Sequence, residues 1–343
     1  MSTLLDEIDQ QPDALERLLH ERRAEIKDAA AKIRAFDPAW VVIAARGSSD
    51  NAARYAQYVL GAHNRLGVAL AVPSLHTIYD APPRYARALA IGISQSGQSP
   101  DVVSVIAAAR EQGGLTIAIT NDPASPLAQA AEIVLALATG AERSIAATKT
   151  YTNQLMLLAM LSAAIAESHE AELEAVPGAV AAALEATGEL GELALDYATA
   201  GRFVVLGRGF NYCTAHELAL KMKETSYVLA EPYSSADLRH GPVAMIEYGF
   251  PVVLIAPSGK ASDDTSELLE LLRWRRARVI ALSDRDDVLA RAAAGIRLPP
   301  GVPEWLSPIV TIAPGQRFAH ALATAKGLDP DRPRDLTKVT KTR

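Results

Sequence analysis

Residues 202–209 read Arg202-Phe203-Val204-Val205-Leu206-Gly207-Arg208-Gly209, and this run decides the fold class. Four apolar residues in succession leave no polar face, which predicts a strand covered on both sides, as in a parallel sheet. The glycines let the chain turn at the strand's carboxyl end. A helix should follow through Lys221 and Glu224, capped by Asn211 or Thr214, and after it comes Asp237-Leu238-Arg239-His240-Gly241-Pro242. On that helix Glu217, Lys221 and Glu224 fall at i, i+4 and i+7, so one stripe carries acid, base, acid. Locally the stripe fits a solvated face laced with i,i+4 ion pairs as well as it fits a functional site.

Outward from this run, short apolar segments alternate with helical periodicity along the whole chain. Strands are expected at 40–44, 68–72, 89–93, 115–119, 133–137, 204–206, 252–256 and 279–282, with helices between most of them. That alternation is the signature of βαβ units and of a doubly wound α/β fold. Landmarks recur at one and the same offset of 162 residues: Arg46-Gly47 matches Arg208-Gly209 and Ser96-Gly97 matches Ser258-Gly259. Ile117-Ala118-Ile119-Thr120 matches Ile280-Ala281-Leu282-Ser283 one residue later. Two copies of one α/β domain are therefore expected, each with a parallel sheet flanked by helices. The expected divisions are an N-terminal helical segment at 1–36, a first domain at 37–175, a second at 176–328 and a tail at 329–343.

Composition narrows the function. With 343 residues, 40 acidic and 34 basic side chains, and a net charge of −6, the chain can build two cores and has no nucleic-acid footprint. A single cysteine, Cys213, excludes an intramolecular disulfide framework and a cysteine-cluster metal site. His216, His240 and His320 stand apart without ligand spacing, so no metal is expected. The glycines do not form G-x-G-x-x-G, and no cofactor is expected. No stretch has the length of a membrane span or the pattern of a leader, which makes the cytoplasm the default.

In an open parallel sheet ligands bind outside the carboxyl ends of the strands. Two loops there combine glycine with hydroxyls: Gly47-Ser48-Ser49 and Ser94-Gln95-Ser96-Gly97-Gln98-Ser99. The second runs into a helix at Pro100 and offers hydroxyls, backbone N–H groups and a helix dipole to an anion. It contains no Lys or Arg, so a phosphate monoester fits better than a triphosphate. A capped serine- and glycine-rich turn is the alternative. His240, before Gly241-Pro242, reads equally as a capping histidine.

Taken together, Gly47-Ser48-Ser49, Ser94-Gln95-Ser96-Gly97-x-Ser99, Ala147-Thr148-Lys149, Lys221-x-Lys223-Glu224, Glu231, Leu238-Arg239-His240-Gly241-Pro242 and the tail from Asp331 to Lys338 resemble the tandem sugar isomerase (SIS) domain family. The arrangement is that of the isomerase half of glucosamine-6-phosphate synthase and its deaminase relatives. The resemblance implies two flavodoxin-like SIS domains in tandem. It also implies that Ser94, Gln95, Ser96 and Ser99, helped by Ser48, hold a sugar 6-phosphate. Ser49, Lys221 and the backbone near Ile145 and Thr337 would meet sugar hydroxyls, and Glu224, His240 and Lys338 would carry the chemistry. A homodimer in which His240 crosses to the neighbouring subunit is implied as well. Ala147 stands where the synthase pattern has a serine, Glu142-Arg143 has no assigned role, and Ser2 replaces the synthase's cysteine, so no glutamine-derived ammonia is expected.

The implied reaction, ring opening followed by proton transfer between C1 and C2, needs one group within reach of both carbons. Glu224 is the candidate, Lys221 could hold its charge or the substrate O1, His240 could exchange a proton with the ring oxygen, and Lys338 could close over the open-chain carbonyl. The expected function is an amino-sugar-phosphate deaminase or isomerase acting on glucosamine 6-phosphate or a close isomer. A deglycase of phosphorylated Amadori adducts and a non-catalytic sugar-phosphate sensor are the alternatives. The sensor is disfavoured because no DNA-binding helix-turn-helix is present and all three chemical residues are. The tail, with five basic side chains (Arg332, Arg334, Lys338, Lys341, Arg343) and little apolar anchorage, is expected to fray until a sugar phosphate orders it.

Overall fold

A computed structural model of the chain describes residues 2–188 and 190–338. Ten strands form two five-stranded sheets. The first contains β1 (Trp40–Ala44), β2 (Val68–Leu70), β3 (Ala88–Ser94), β4 (Leu115–Thr120) and β5 (Ile133–Ala136); the second contains β6 (Arg202–Gly207), β7 (Leu229–Ser234), β8 (Pro251–Ile255), β9 (Arg278–Ser283) and β10 (Ala294–Arg297). The strand orders are 2-1-3-4-5 and 7-6-8-9-10, and every pairing is parallel. The second order repeats the first with each number raised by five. This is the flavodoxin-like doubly wound topology, with switch points between β1 and β3 and between β6 and β8.

The described chain separates into two compact units, each built from distant stretches. The first-sheet unit holds residues 13–142, 149–174 and 337–338; the second-sheet unit holds residues 2–12, 143–148 and 175–336. In the first-sheet unit β3 and β4 are buried along their whole length, because both faces are covered by helices. The Lys149–Ala166 helix is buried from its first residue to Ala164 and packs on the Ser48–Asn64 helix. In the second-sheet unit the Tyr212–Ser226 helix packs on the Ser307–Ala325 helix. Gly315 faces Leu218, which is fully buried, with room for a Cβ at ordinary contact distance, 3.4 Å. Burying one such leucine contributes about 1.5–3 kcal/mol.

Several expectations are corrected. Strands β7 and β10 carry no continuous apolar run; both are edge strands, where Glu231, Pro232 and Arg297 are tolerated. The stretch ahead of β6 forms two helices, Val176–Thr187 and Gly191–Leu195, with Gly188 at φ 51 ending the first. Asn211 occupies the N-cap of the Tyr212–Ser226 helix without a side-chain cap bond. Its amide instead donates to Ser307 Oγ (2.7 Å) and accepts from Thr214 Oγ1 (3.0 Å), tying helix to helix. The segment after 328 is held far better than its composition suggests. Asp331 accepts from the amides of Thr3 (3.0 Å) and Leu4 (2.8 Å) at the first helix, Pro333 is buried, and Arg334 lies over the Tyr227 ring at 3.9 Å. Residues 339–343, with Lys341 and Arg343, lie outside the described residues.

Candidate active site

The serine loop begins where β3 ends. Ser94 Oγ accepts the Gly97 amide (3.0 Å), and Ser96 Oγ accepts the Gln98 amide (3.3 Å). Gly97 adopts φ 62, and a Cβ at that position would fall 2.1 Å from Ser125 Oγ, so only glycine fits the turn. Ser99 is the N-cap of the Pro100–Glu111 helix, yet its side chain makes no cap bond. Gln95, Ser96 and Ser99 are part-exposed, while Ser94 is buried as part of the turn. At the end of β1, Gly47 (φ 55) turns the chain into the Ser48–Asn64 helix. Ser48 is part-exposed, but Ser49 is buried and its hydroxyl accepts from Gln154 Nε2 (3.0 Å). Ser49 is therefore also a packing residue against the Lys149–Ala166 helix.

Lys338, in the same unit, does not wait for an external partner. Its Nζ donates to Glu142 Oε2 at 2.7 Å, and that carboxylate is wholly buried. The Thr150 amide (3.0 Å) and Thr150 Oγ1 (2.7 Å) donate to the two oxygens of Glu142, at the first turn of the Lys149–Ala166 helix. Burial alone would push the Glu142 carboxyl up; the Lys338 charge and the hydrogen bonds from Lys338 and Thr150 outweigh it and hold it below the usual range. Thr337 is exposed beside Lys338.

In the second-sheet unit the acid–base–acid stripe is real and is not a solvated face. Lys221 Nζ lies 2.6 Å from Glu224 Oε2 and 3.5 Å from Glu217 Oε1. The lysine side chain is 3% exposed, Glu217 is fully buried, and Glu224 alone is part-open at 24%. Lysine is almost never this deep unless paired. Glu217 thus anchors the ammonium from below and leaves Glu224 as the carboxylate with access to solvent. His240 is exposed on the turn after the Ser235–Arg239 helix, with its amide on Asp237 O (3.1 Å) and Gly241 at φ 139. Ile145 sits in a loop held by buried Glu7, whose carboxylate accepts from the Arg143 amide (2.5 Å), the Ser144 amide (3.1 Å) and Ser144 Oγ (2.5 Å).

The SIS domain family matches residues 37–164 and again residues 196–324. The chain belongs to the SIS domain family. Glutamine–fructose-6-phosphate aminotransferase (isomerizing) from Thermococcus kodakarensis is 36% identical over 98% of the chain, while the chain spans 57% of that protein's length. A solved structure from Silicibacter pomeroyi, provisionally named a phosphosugar isomerase, is 35% identical, covers 96% of this chain and 100% of its own, and superposes with a TM-score of 0.88. Glucosamine-6-phosphate deaminase from Thermotoga maritima, 22% identical with a TM-score of 0.78 over 99% of this chain and 100% of its own, shares the fold.

Within this SIS pair, sequence reasoning missed three supports. Glu7 and Glu142 are lone acidic residues whose burial no local pattern betrays. Arg46 places a guanidinium beside the serine loop: its Nε donates to Asp101 Oδ2 (2.6 Å), and Asp101 is fully buried in the first turn of the helix that the loop enters. The repeat offset could have drawn attention to it, since Arg46 and Arg208 occupy matching positions. Among the described residues no group of three His, Cys, Asp or Glu side chains is placed to hold a metal, and no helix is long and apolar enough to cross a membrane.

Proposed function

We propose that this chain converts glucosamine 6-phosphate, or a close isomer, to fructose 6-phosphate and ammonia. The Lys221–Glu224 pair carries the reading. A buried lysine braced by one carboxylate and hydrogen-bonded to a second, more open one is a poor device for stability, because desolvating an ion pair costs about as much as the attraction returns. It is a good device for holding one part-open carboxylate in a fixed place.

In the proposed sequence, Ser94, Gln95, Ser96 and Ser99, with Ser48, hold the 6-phosphate, and Ser49, Lys221 and the backbone at Ile145 and Thr337 meet sugar hydroxyls. His240 exchanges a proton with the ring oxygen as the ring opens. Glu224 takes the proton from C2 of the open-chain amino aldose and returns it to C1, while O1, held by Lys221, gains a proton and the 2-amine loses one. The resulting 2-imine adds water and expels ammonia, leaving the 2-ketose. Lys338 acts at the open-chain carbonyl or imine. Exposed His240, with Tyr248 exposed eight residues further on, supports a homodimer in which His240 serves the neighbouring subunit. Because the aminotransferase relatives are longer than this chain, synthesis from fructose 6-phosphate and glutamine is an arm of the test. Release of ammonia or of the free amine is measured over glucosamine 6-phosphate, its isomers and phosphorylated Amadori adducts. Turnover confined to the amino sugar phosphates is expected; turnover confined to the Amadori adducts, or none with any sugar phosphate, overturns the reading.

A further inference from the structure

Glu142 is the feature that the proposed chemistry does not use and that the fold goes furthest to build. It lies in the loop after β5, its carboxylate is fully buried, and its donors include the Thr150 amide, the Thr150 hydroxyl and the Lys338 ammonium. Two come from the amino-terminal turn of the Lys149–Ala166 helix, where the helix dipole also favours a negative charge. The carboxylate is therefore fixed by the scaffold before Lys338 reaches it. Lys338 arrives from a segment whose neighbours Leu336 and Thr337 are exposed, and its own side chain remains 24% open.

We propose that Glu142 is a positioning residue: it docks the carboxyl-terminal segment by a charge pair and sets where the Lys338 amine meets the substrate. This rests on the assignment of Lys338 to the reaction. The other charged groups on the elements that meet here are Lys149, buried at the first position of the helix, and Arg143, exposed beside Glu142 in the chain. The 2.7 Å contact holds the amine against the buried carboxylate, so deleting that charge should free the amine from its place. Glu142→Gln keeps the shape and an oxygen for Thr150 while deleting the charge.

The test is the rate at which Lys338 is labelled by an amine-directed reagent near pH 8, read residue by residue by mass spectrometry. It is run on the full chain beside steady-state kinetics and a melting curve. In Glu142→Gln, Lys338 labelling should rise at least about fivefold, and kcat should fall more than KM rises. Glu142→Asp should restore part of each. A residue that merely pins the loop would lower the melting temperature and leave Lys338 labelling and the split between kcat and KM where they were, and that result overturns the proposal. Failure of the parent assignment looks different: Lys338→Ala would retain full turnover while Glu142→Gln still altered the labelling of Lys338.

Discussion

The two sheets share one strand order, but the loops after β3 and β8 have opposite fates. In the first-sheet unit the turn after β3 carries Ser96, Gly97 and Ser99, and its hydroxyls are part-exposed. In the second-sheet unit the matching turn is Pro257-Ser258-Gly259-Lys260, and its backbone amides are already taken. Ser258 N donates to Asp284 Oδ1 (2.7 Å), Lys260 N to Glu304 Oε2 (2.7 Å) and Ala261 N to Glu304 Oε1 (3.2 Å). Gly259 approaches Glu304 so closely that a Cβ would lie 2.3 Å from its carboxyl carbon. A carboxylate of the chain itself occupies the place at which the first copy leaves hydroxyls part-exposed. One topology thus supports a part-open hydroxyl loop in one copy and a sealed loop in the other, and the second copy keeps its charged groups on the Tyr212–Ser226 helix instead.

That contrast breaks first at Glu224. Glu224→Gln removes the proton carrier at nearly constant shape and should lower kcat by about 10² or more with sugar-phosphate affinity preserved. Steady-state kinetics with a binding titration checks it, and turnover within a fewfold of the parent would return the stripe to a structural role. Next come the loop hydroxyls. Ser96→Ala and Ser99→Ala should each weaken a 6-phosphorylated sugar by about tenfold, the scale of a hydrogen bond to a charged group, with stability changed by no more than about 0.5 kcal/mol. Calorimetric titration decides this.

The sealed copy should respond the other way. Glu304→Gln should leave sugar-phosphate affinity unaltered and cost about 1 kcal/mol of stability, since two backbone donors lose a charged acceptor at a part-exposed position. Denaturant unfolding beside the same titration would show whether the two loops are as different as the geometry makes them. The smallest effect is one of pH. Glu142 is held below its ordinary value of 4.5, so the stability it contributes is complete above that pH and is lost as pH falls through the lower folded value. Acid unfolding of the parent should therefore have a limb below about pH 4.5 that is shallower in Glu142→Gln.

Much of this was legible in the residues. Central strands such as Val204-Val205-Leu206 and Leu89-Ala90-Ile91 announce themselves because burial on both faces demands unbroken apolar runs, and the 162-residue offset follows from a repeated fold. Edge strands β7 and β10 did not, since one open edge removes that demand. The positions of the serine loop and of the Glu217–Lys221–Glu224 stripe were likewise readable, the first from its place at a strand end and the second from helical spacing. Lys221's burial was not readable, because it depends on the helix that covers it. Nor was the role of Glu142, whose partners lie 8 and 196 residues away. Periodicity reports what a single element does with its own faces; carboxylates that reach across the chain leave no local trace.

The central claim is that Glu224 moves a proton between C1 and C2 of a phosphorylated sugar. Incubating the parent protein with glucosamine 6-phosphate in heavy water and following C1 and C2 by NMR tests it most directly. As the part-open Glu224 carboxyl exchanges with solvent before it reprotonates the sugar, deuterium should enter C1 of the fructose 6-phosphate formed, and Glu224→Gln should bind the same sugar while incorporating none on that timescale. Deuterium entering at the parent's rate in Glu224→Gln would contradict the assignment.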